Sequence, residues 1–211
     1  KVKVAGILME VVQGEGGVLP LTAEYLAAAN KLAHEQDIPL MMDEVQIGNG
    51  RSGKLYGYMN FDVQPDIVST AKGLGGGLPI GACLLGEKVQ NVLGFGDHGS
   101  TYGGNPVCCA GGVSIIGRLT DDFLAEVQKK SAYVFESLTN APGIESVTGL
   151  GLMIGVKPVA PAAEVVKKCM ERGVLCLTAK NKVRLLPALN IPMEDLKFAV
   201  ETIRTVAAEL A

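Results

Sequence analysis

Asp66-Ile67-Val68-Ser69-Thr70-Ala71-Lys72-Gly73-Leu74-Gly75-Gly76-Gly77-Leu78-Pro79 is the stretch whose reading decides the fold. Its first five residues, rich in β-branched side chains, read as a short buried strand. The strand runs into a lysine and then into glycines, a loop too poor in side chains to shield that lysine. Upstream, Ile38-Pro39-Leu40-Met41-Met42 reads as a second apolar strand that closes abruptly on Asp43-Glu44. Further upstream, residues 4–12 form another apolar run, read as a buried strand, after which Gln13-Gly14-Glu15-Gly16-Gly17 turns the chain. Thr22 is placed to cap the next helix, which carries Leu26, Ala29 and Ala33 on one face. Downstream, residues 81–85 return as a strand, antiparallel to its predecessor because the connection is short. Apolar strands separated by a helix predict an α/β sheet covered on both faces.

Beyond His98 the pattern changes. Pro106 starts a helix of small residues, and a second helical stretch covers residues 122–139. Residues 146–156 and 174–186 are strand-rich. Amphipathic helices occupy residues 162–172, closed by Gly173, and residues 193–210, where Leu196, Ala199, Ile203, Ala207 and Leu210 share a face. The expectation is two parts: residues 1–120, half of a large α/β domain, and residues 121–211, a smaller α+β domain.

The 211 residues are 48% hydrophobic and 19% charged, enough for a sizeable core and outside the range of disordered chains. The net charge is -3, with no basic block interleaved with aromatics, which speaks against a nucleic-acid partner. The apolar runs are too short to span a membrane. Cys83, Cys108, Cys109, Cys169 and Cys176 show neither a CxxC pair nor a Cys/His cluster. They read as reduced thiols of a cytoplasmic protein with no metal site. The chain opens without Met, straight into a strand-like run, as though entered midway.

In an α/β sheet, functional side chains gather beyond the carboxyl ends of the strands. Asp43 closes one strand and Lys72 follows another. A lysine there suits a desolvated amine that forms an imine and later moves protons; a solvated loop lysine is the competing reading. The glycines do not make a Walker cradle, because that pattern needs Gly-Lys-Ser/Thr after them and here the lysine comes first. His98-Gly99-Ser100-Thr101-Tyr102-Gly103-Gly104-Asn105-Pro106 is a polar turn entering a helix, suited either to an anion or to ordinary capping. Arg184, inside Val183-Arg184-Leu185-Leu186-Pro187, needs an acceptor if its strand is buried. A substrate carboxylate and an internal salt bridge both meet that need.

Together these pieces resemble the class III aminotransferases, pyridoxal-phosphate enzymes of fold type I. The resemblance rests on residues 10–17, Asp43-Glu44-Val45-Gln46, Gly50-Arg51-Ser52-Gly53-Lys54, Ser69-Thr70-Ala71-Lys72-Gly73-Leu74-Gly75-Gly76-Gly77 and residues 98–106, five motifs in the family's order. It implies that the chain holds the second half of the large, mainly parallel-sheet domain and the smaller C-terminal domain. Lys72 is similar to the lysine that holds pyridoxal 5′-phosphate as a Schiff base and shuttles the substrate proton. Asp43 is similar to the carboxylate that pairs with the pyridine nitrogen, Val45 to the residue packed on the ring and Gln46 to the one meeting the phenolic oxygen. Thr101 resembles the threonine that reaches the neighbouring subunit's cofactor phosphate, which implies a homodimer with shared sites. Arg184 resembles the arginine that grips the substrate carboxylate, and Glu15 the glutamate that pairs with it and swings aside. The implied substrates are an amino acid and a 2-oxo acid.

Residues 77–82 and 98–106 most resemble members acting on N-acetylornithine, with those acting on ornithine or 4-aminobutyrate close behind. Val11 stands where the family usually has proline. The family's N-terminal phosphate loop and ring-stacking aromatic have no counterpart in these residues. That implies a C-terminal portion, and leaves a non-catalytic fragment as the alternative.

Overall fold

The computed structural model describes residues 3–211. In chain order it contains β1 (Ile7–Met9), β2 (Val12–Gln13), β3 (Leu19–Pro20), α1 (Ala23–Glu35), β4 (Leu40–Asp43), β5 (Ile67–Thr70), β6 (Ala82–Leu85), α2 (Pro106–Ile116), α3 (Asp121–Leu138), β7 (Ile144–Leu150), β8 (Met153–Pro158), α4 (Ala162–Glu171), β9 (Leu177–Ala179), β10 (Lys182–Leu185) and α5 (Met193–Glu209). Short 3-10 turns cover Gly57–Asn60 and Lys72–Gly75. No helix among the described residues is long and apolar enough to cross a membrane.

The chain divides into two compact units. The first comprises the described residues through Val11, Leu21–Gly50 and Lys54–Asp121; the second comprises Val12–Pro20, Arg51–Gly53 and Asp122–Ala211.

The first unit holds a four-stranded sheet in the order β1-β4-β5-β6. β1, β4 and β5 are parallel, and β6 returns antiparallel to β5, as the short connection requires. α1 begins where Thr22 Oγ1 accepts the Tyr25 N–H at 3.1 Å, and it buries Leu26 and Ala33.

Two expectations need correction here. Residues 4–12 are not one buried strand: β1 is only three residues long, Leu8 is exposed, and Val12 leaves to pair antiparallel with β3. An apolar run fits an edge strand as well as a central one, and β1 pairs with β4 alone among the described residues. Nor do the described residues cover the sheet fully on both faces. β4 and β5 alternate between buried and half-buried residues, and Ala82, Cys83 and Leu84 of β6 are exposed. Among the described residues that alternation leaves the second face of β4 and β5 half-covered.

The second unit carries an antiparallel sheet in the order β7-β8-β10-β9. Its core joins Val127, Val134 and Leu138 of α3, Val165 and Cys169 of α4, and Leu196, Val200 and Ile203 of α5 to Ile154, Val156 and Val183 of the sheet. Each such aliphatic side chain contributes about 1.5–3 kcal/mol on burial. The face expected on the last helix is the one that packs: Leu196, Ile203 and Ala207 are buried, with Ala199 and Leu210 against them. The five cysteines are free thiols.

Candidate active site

β4 and β5 lie side by side and parallel, with Asp43 opposite Ser69. Their carboxyl ends therefore deliver the segments bearing Asp43 and Lys72 to the same edge of the sheet. The Glu44 N–H donates to the Ser69 carbonyl at 2.9 Å, and Gly48 N–H to the Glu44 carbonyl at 3.0 Å, so the ladder passes directly into a tight turn. Val45 and Gln46 occupy that turn, both half-buried.

The Asp43 carboxylate is held on one side. Oδ1 accepts from the Val45 N–H at 3.0 Å and from the Ser69 hydroxyl at 3.3 Å. Among the described residues Oδ2 has no such donor, so the carboxylate is oriented while one oxygen stays available for a cationic or N–H partner.

Its neighbour Glu44 has the opposite environment. It is completely buried, Oε2 accepting from Gly57 N–H at 2.7 Å and Oε1 from Tyr58 N–H at 2.9 Å. Burial pushes its pKa up to about 7; the Asp43 charge pushes the same way, and the two N–H donors oppose both. The sequence singled out Asp43 by its strand end and by resemblance, and left Glu44 without a role. Successive residues leaving a strand point to opposite faces, and that was the available signal.

Lys72 follows β5 by two residues and opens the turn Lys72–Gly75. Its φ is +50°, in the left-handed region that residues with a Cβ avoid. The side chain is exposed, so the described residues do not supply the desolvation expected of a catalytic amine.

Thr101 lies in an exposed turn ahead of α2, and among the described residues no hydrogen bond joins it to Asp43, Val45, Gln46 or Lys72. The helix entry beyond it is capped from within. Asn105 Oδ1 accepts from Val107 N–H at 3.0 Å and Cys108 N–H at 3.2 Å, with Pro106 in the first turn. Two of the N–H groups considered for an anion are thereby already satisfied, which favours the capping reading at that helix start.

In the second unit, Arg184 sits on β10 between two core residues, its side chain 11% exposed. Nη1 meets Glu15 Oε1 at 2.5 Å, while Nε is buried with no hydrogen-bond partner among the described residues. Asp43, Val45, Gln46, Lys72 and Thr101 thus belong to one unit, and Glu15 and Arg184 to the other.

A carboxylate thus closes one strand and a lysine follows its parallel neighbour, and a paired arginine and glutamate lie elsewhere in the chain. Residues 1–207 match the family described as aminotransferase class-III, and the chain belongs to that family. It is 48% identical over 209 residues to an acetylornithine aminotransferase of Haemophilus ducreyi, a match covering 98% of this chain and 53% of that protein. Among solved structures it is similar to an ornithine aminotransferase from Plasmodium yoelii, with a TM-score of 0.91 and 29% identity over 99% of this chain and 58% of that one. It is also similar to an amine transaminase from an uncultivated Pseudomonas species in its PLP-bound form, with a TM-score of 0.90 and 28% identity over 99% of this chain and 53% of that one. The fold is therefore that of the fold type I PLP-dependent aminotransferases. The chain spans about half the length of the curated relatives it matches.

Proposed function

We propose that this chain carries the lysine-bearing part of a pyridoxal-phosphate-dependent aminotransferase. It transfers the terminal amine of N-acetylornithine, or of a similar ω-amino acid, to 2-oxoglutarate, giving a semialdehyde and glutamate. The observation that carries this reading is the placement of Asp43 and Lys72 at the ends of adjacent parallel strands, with one Asp43 oxygen anchored and the other available. Membership of the class III family supports the reaction type. The likeness to an acetylornithine aminotransferase supports the choice of amino donor.

The residues fit pyridoxal 5′-phosphate. Asp43 presents an oxygen for the pyridine nitrogen, Val45 an apolar surface for the ring, Gln46 an amide for the phenolic oxygen, and Lys72 an amine for the aldehyde. When bound, the cofactor supplies an electron sink for negative charge at the substrate Cα. Asp43 would pair with the ring nitrogen and favour its protonated form. The Lys72 Nζ takes the proton from the substrate Cα. Arg184 binds the substrate carboxylate, and its unpartnered Nε–H is a donor ready for one. Glu15 neutralises the guanidinium when no carboxylate is present. Thr101 serves the phosphate site of a second copy in a homodimer, a reading supported by exposed Phe95, Tyr102, Val107 and Val113 around it in sequence. Five free thiols suit a reducing cytoplasm.

The test is chemical. Protein mixed with pyridoxal phosphate and then reduced with borohydride should carry a pyridoxyl mass on the peptide containing Lys72, and Lys72→Ala should carry none. N-acetylornithine with 2-oxoglutarate should yield glutamate, with ornithine and 4-aminobutyrate run as rival donors. Label on some other lysine, or none at all, would refute the assignment. The exposure of Lys72 favours a second reading, in which these residues alone hold the cofactor only weakly. Absorbance titration of this chain with pyridoxal phosphate separates the two.

A further inference from the structure

Asn49 stands in the glycine-rich loop after β4, where turn chemistry would be explanation enough for it. The structure gives it a different setting. The residue is buried, takes a φ of +54°, and spends both amide hydrogens on the chain just before Lys72. Nδ2 donates to Thr70 Oγ1 at 2.9 Å and to the Ala71 carbonyl at 3.0 Å. That carbonyl also accepts the Leu74 N–H at 3.0 Å, the bond that closes the turn opened by Lys72. Behind this pair, the Thr70 hydroxyl is hydrogen-bonded to buried Tyr56, which lies near Glu44. The peptide that launches Lys72 is thus fixed from three sides, while Lys72 holds a φ of +50° with no glycine to ease it.

The other end of the amide is informative. Asn49 Oδ1 is buried and, among the described residues, has no hydrogen-bond partner. A polar side chain kept only to fill space pairs both its ends, because an unmatched buried acceptor is costly. Here one end is left unmatched while the other restrains the two residues before the lysine.

We propose that Asn49 is a positioning residue for Lys72, setting the backbone from which Nζ reaches the cofactor aldehyde. The inference rests on the proposed role of Lys72. Attachment joins the amine to the aldehyde carbon and releases one water. Pyridoxamine 5′-phosphate carries an amine in place of the aldehyde, so it occupies the same pocket without that bond.

The comparison of the two ligands is the test. Asn49→Gly tolerates the positive φ and removes the amide; Asn49→Asp keeps its size and removes the donor. In both, affinity for pyridoxal phosphate should fall about tenfold, the loss expected for two hydrogen bonds that hold the lysine. Affinity for pyridoxamine phosphate should stay within about twofold of the parent protein in each. Equal losses for both ligands would make Asn49 a general prop of the pocket, and unchanged affinities would make it irrelevant; either result overturns the proposal. If the parent protein gains no borohydride-stable mass at Lys72, the functional reading falls and takes this inference with it. A failure confined to the variants removes the inference alone.

Discussion

Replacing Glu44 with Gln should remove a slope from the protein's stability–pH profile and make the two proteins exchange rank. Glu44 is fully buried and accepts two backbone N–H groups, and burial carries its pKa from an ordinary 4.5 to about 7. In the unfolded chain it returns to the ordinary value. Between those two pH values the folded protein therefore keeps a proton that the unfolded chain has released. The sign follows directly: the group's stabilising contribution is complete below pH 4.5 and is lost as pH rises through 7. The gap between the two values corresponds to about 3 kcal/mol of lost stability. Gln cannot ionise, so it escapes that loss. Its NH2, however, faces one of the two backbone N–H groups, at a pH-independent cost of about 1 kcal/mol. Glu44→Gln should accordingly be the less stable protein near pH 4, cross over at about pH 5, and be the more stable one near pH 8. All other carboxylates are common to both proteins and cancel in the difference. Urea unfolding of the pair at half-unit steps from about pH 4 to 8 measures it. A difference that stays constant across that range would refute the reasoning.

Two further outcomes check other parts of the molecule. Arg184→Ala removes charge-assisted hydrogen bonds worth about 1.5–3 kcal/mol each, so KM for 2-oxoglutarate should rise at least about tenfold while pyridoxal phosphate binding holds. Equal losses in both would move Arg184 out of the substrate site. Gly151→Ala places a Cβ 2.2 Å from the Arg51 carbonyl oxygen at a φ of +60°, whereas Gly173→Ala, at +84°, meets nothing within 4 Å. Thermal unfolding should show Gly173→Ala losing about 1 kcal/mol, the backbone strain alone, and Gly151→Ala losing considerably more. Similar losses would mean that the backbone around Gly151 gives way.

The sheet was legible where its signals are local. A pentad with three β-branched residues ahead of a lysine and glycines, and an apolar strand ending in Asp-Glu, encode strand ends within a few residues of themselves, and the structure has β4 and β5 there. Thr22 is similar: a cap acts on a residue three positions away, and its bond to Tyr25 is present. Residues 4–12 misled because an apolar run does not show where a strand ends or how many neighbours it has: among the described residues β1 pairs with β4 alone and Leu8 is exposed. The Arg184–Glu15 pair joins residues 169 positions apart. No spacing rule reaches that far, and only the resemblance to a family suggested it.

The polar residues behind the site escaped the sequence reading for a different reason. Asn49 between two glycines reads as a turn former, because Asn tolerates a positive φ and the sequence cannot show where its amide points. Its acceptors lie 21 and 22 residues downstream, and they matter only because β4 and β5 run parallel and end together. Asp43 and Glu44 make the same point at a single peptide bond. Chemically alike and adjacent, they leave the strand toward opposite faces. One meets a side-chain hydroxyl and a single backbone N–H, with an oxygen to spare. The other meets two backbone N–H groups and no solvent. A carboxylate with an oxygen to spare can serve a ligand. A carboxyl with both oxygens engaged inside the protein holds the loop from which that ligand would be approached. Sequence supplies the pair; the alternation of the backbone at the strand end divides the roles between them.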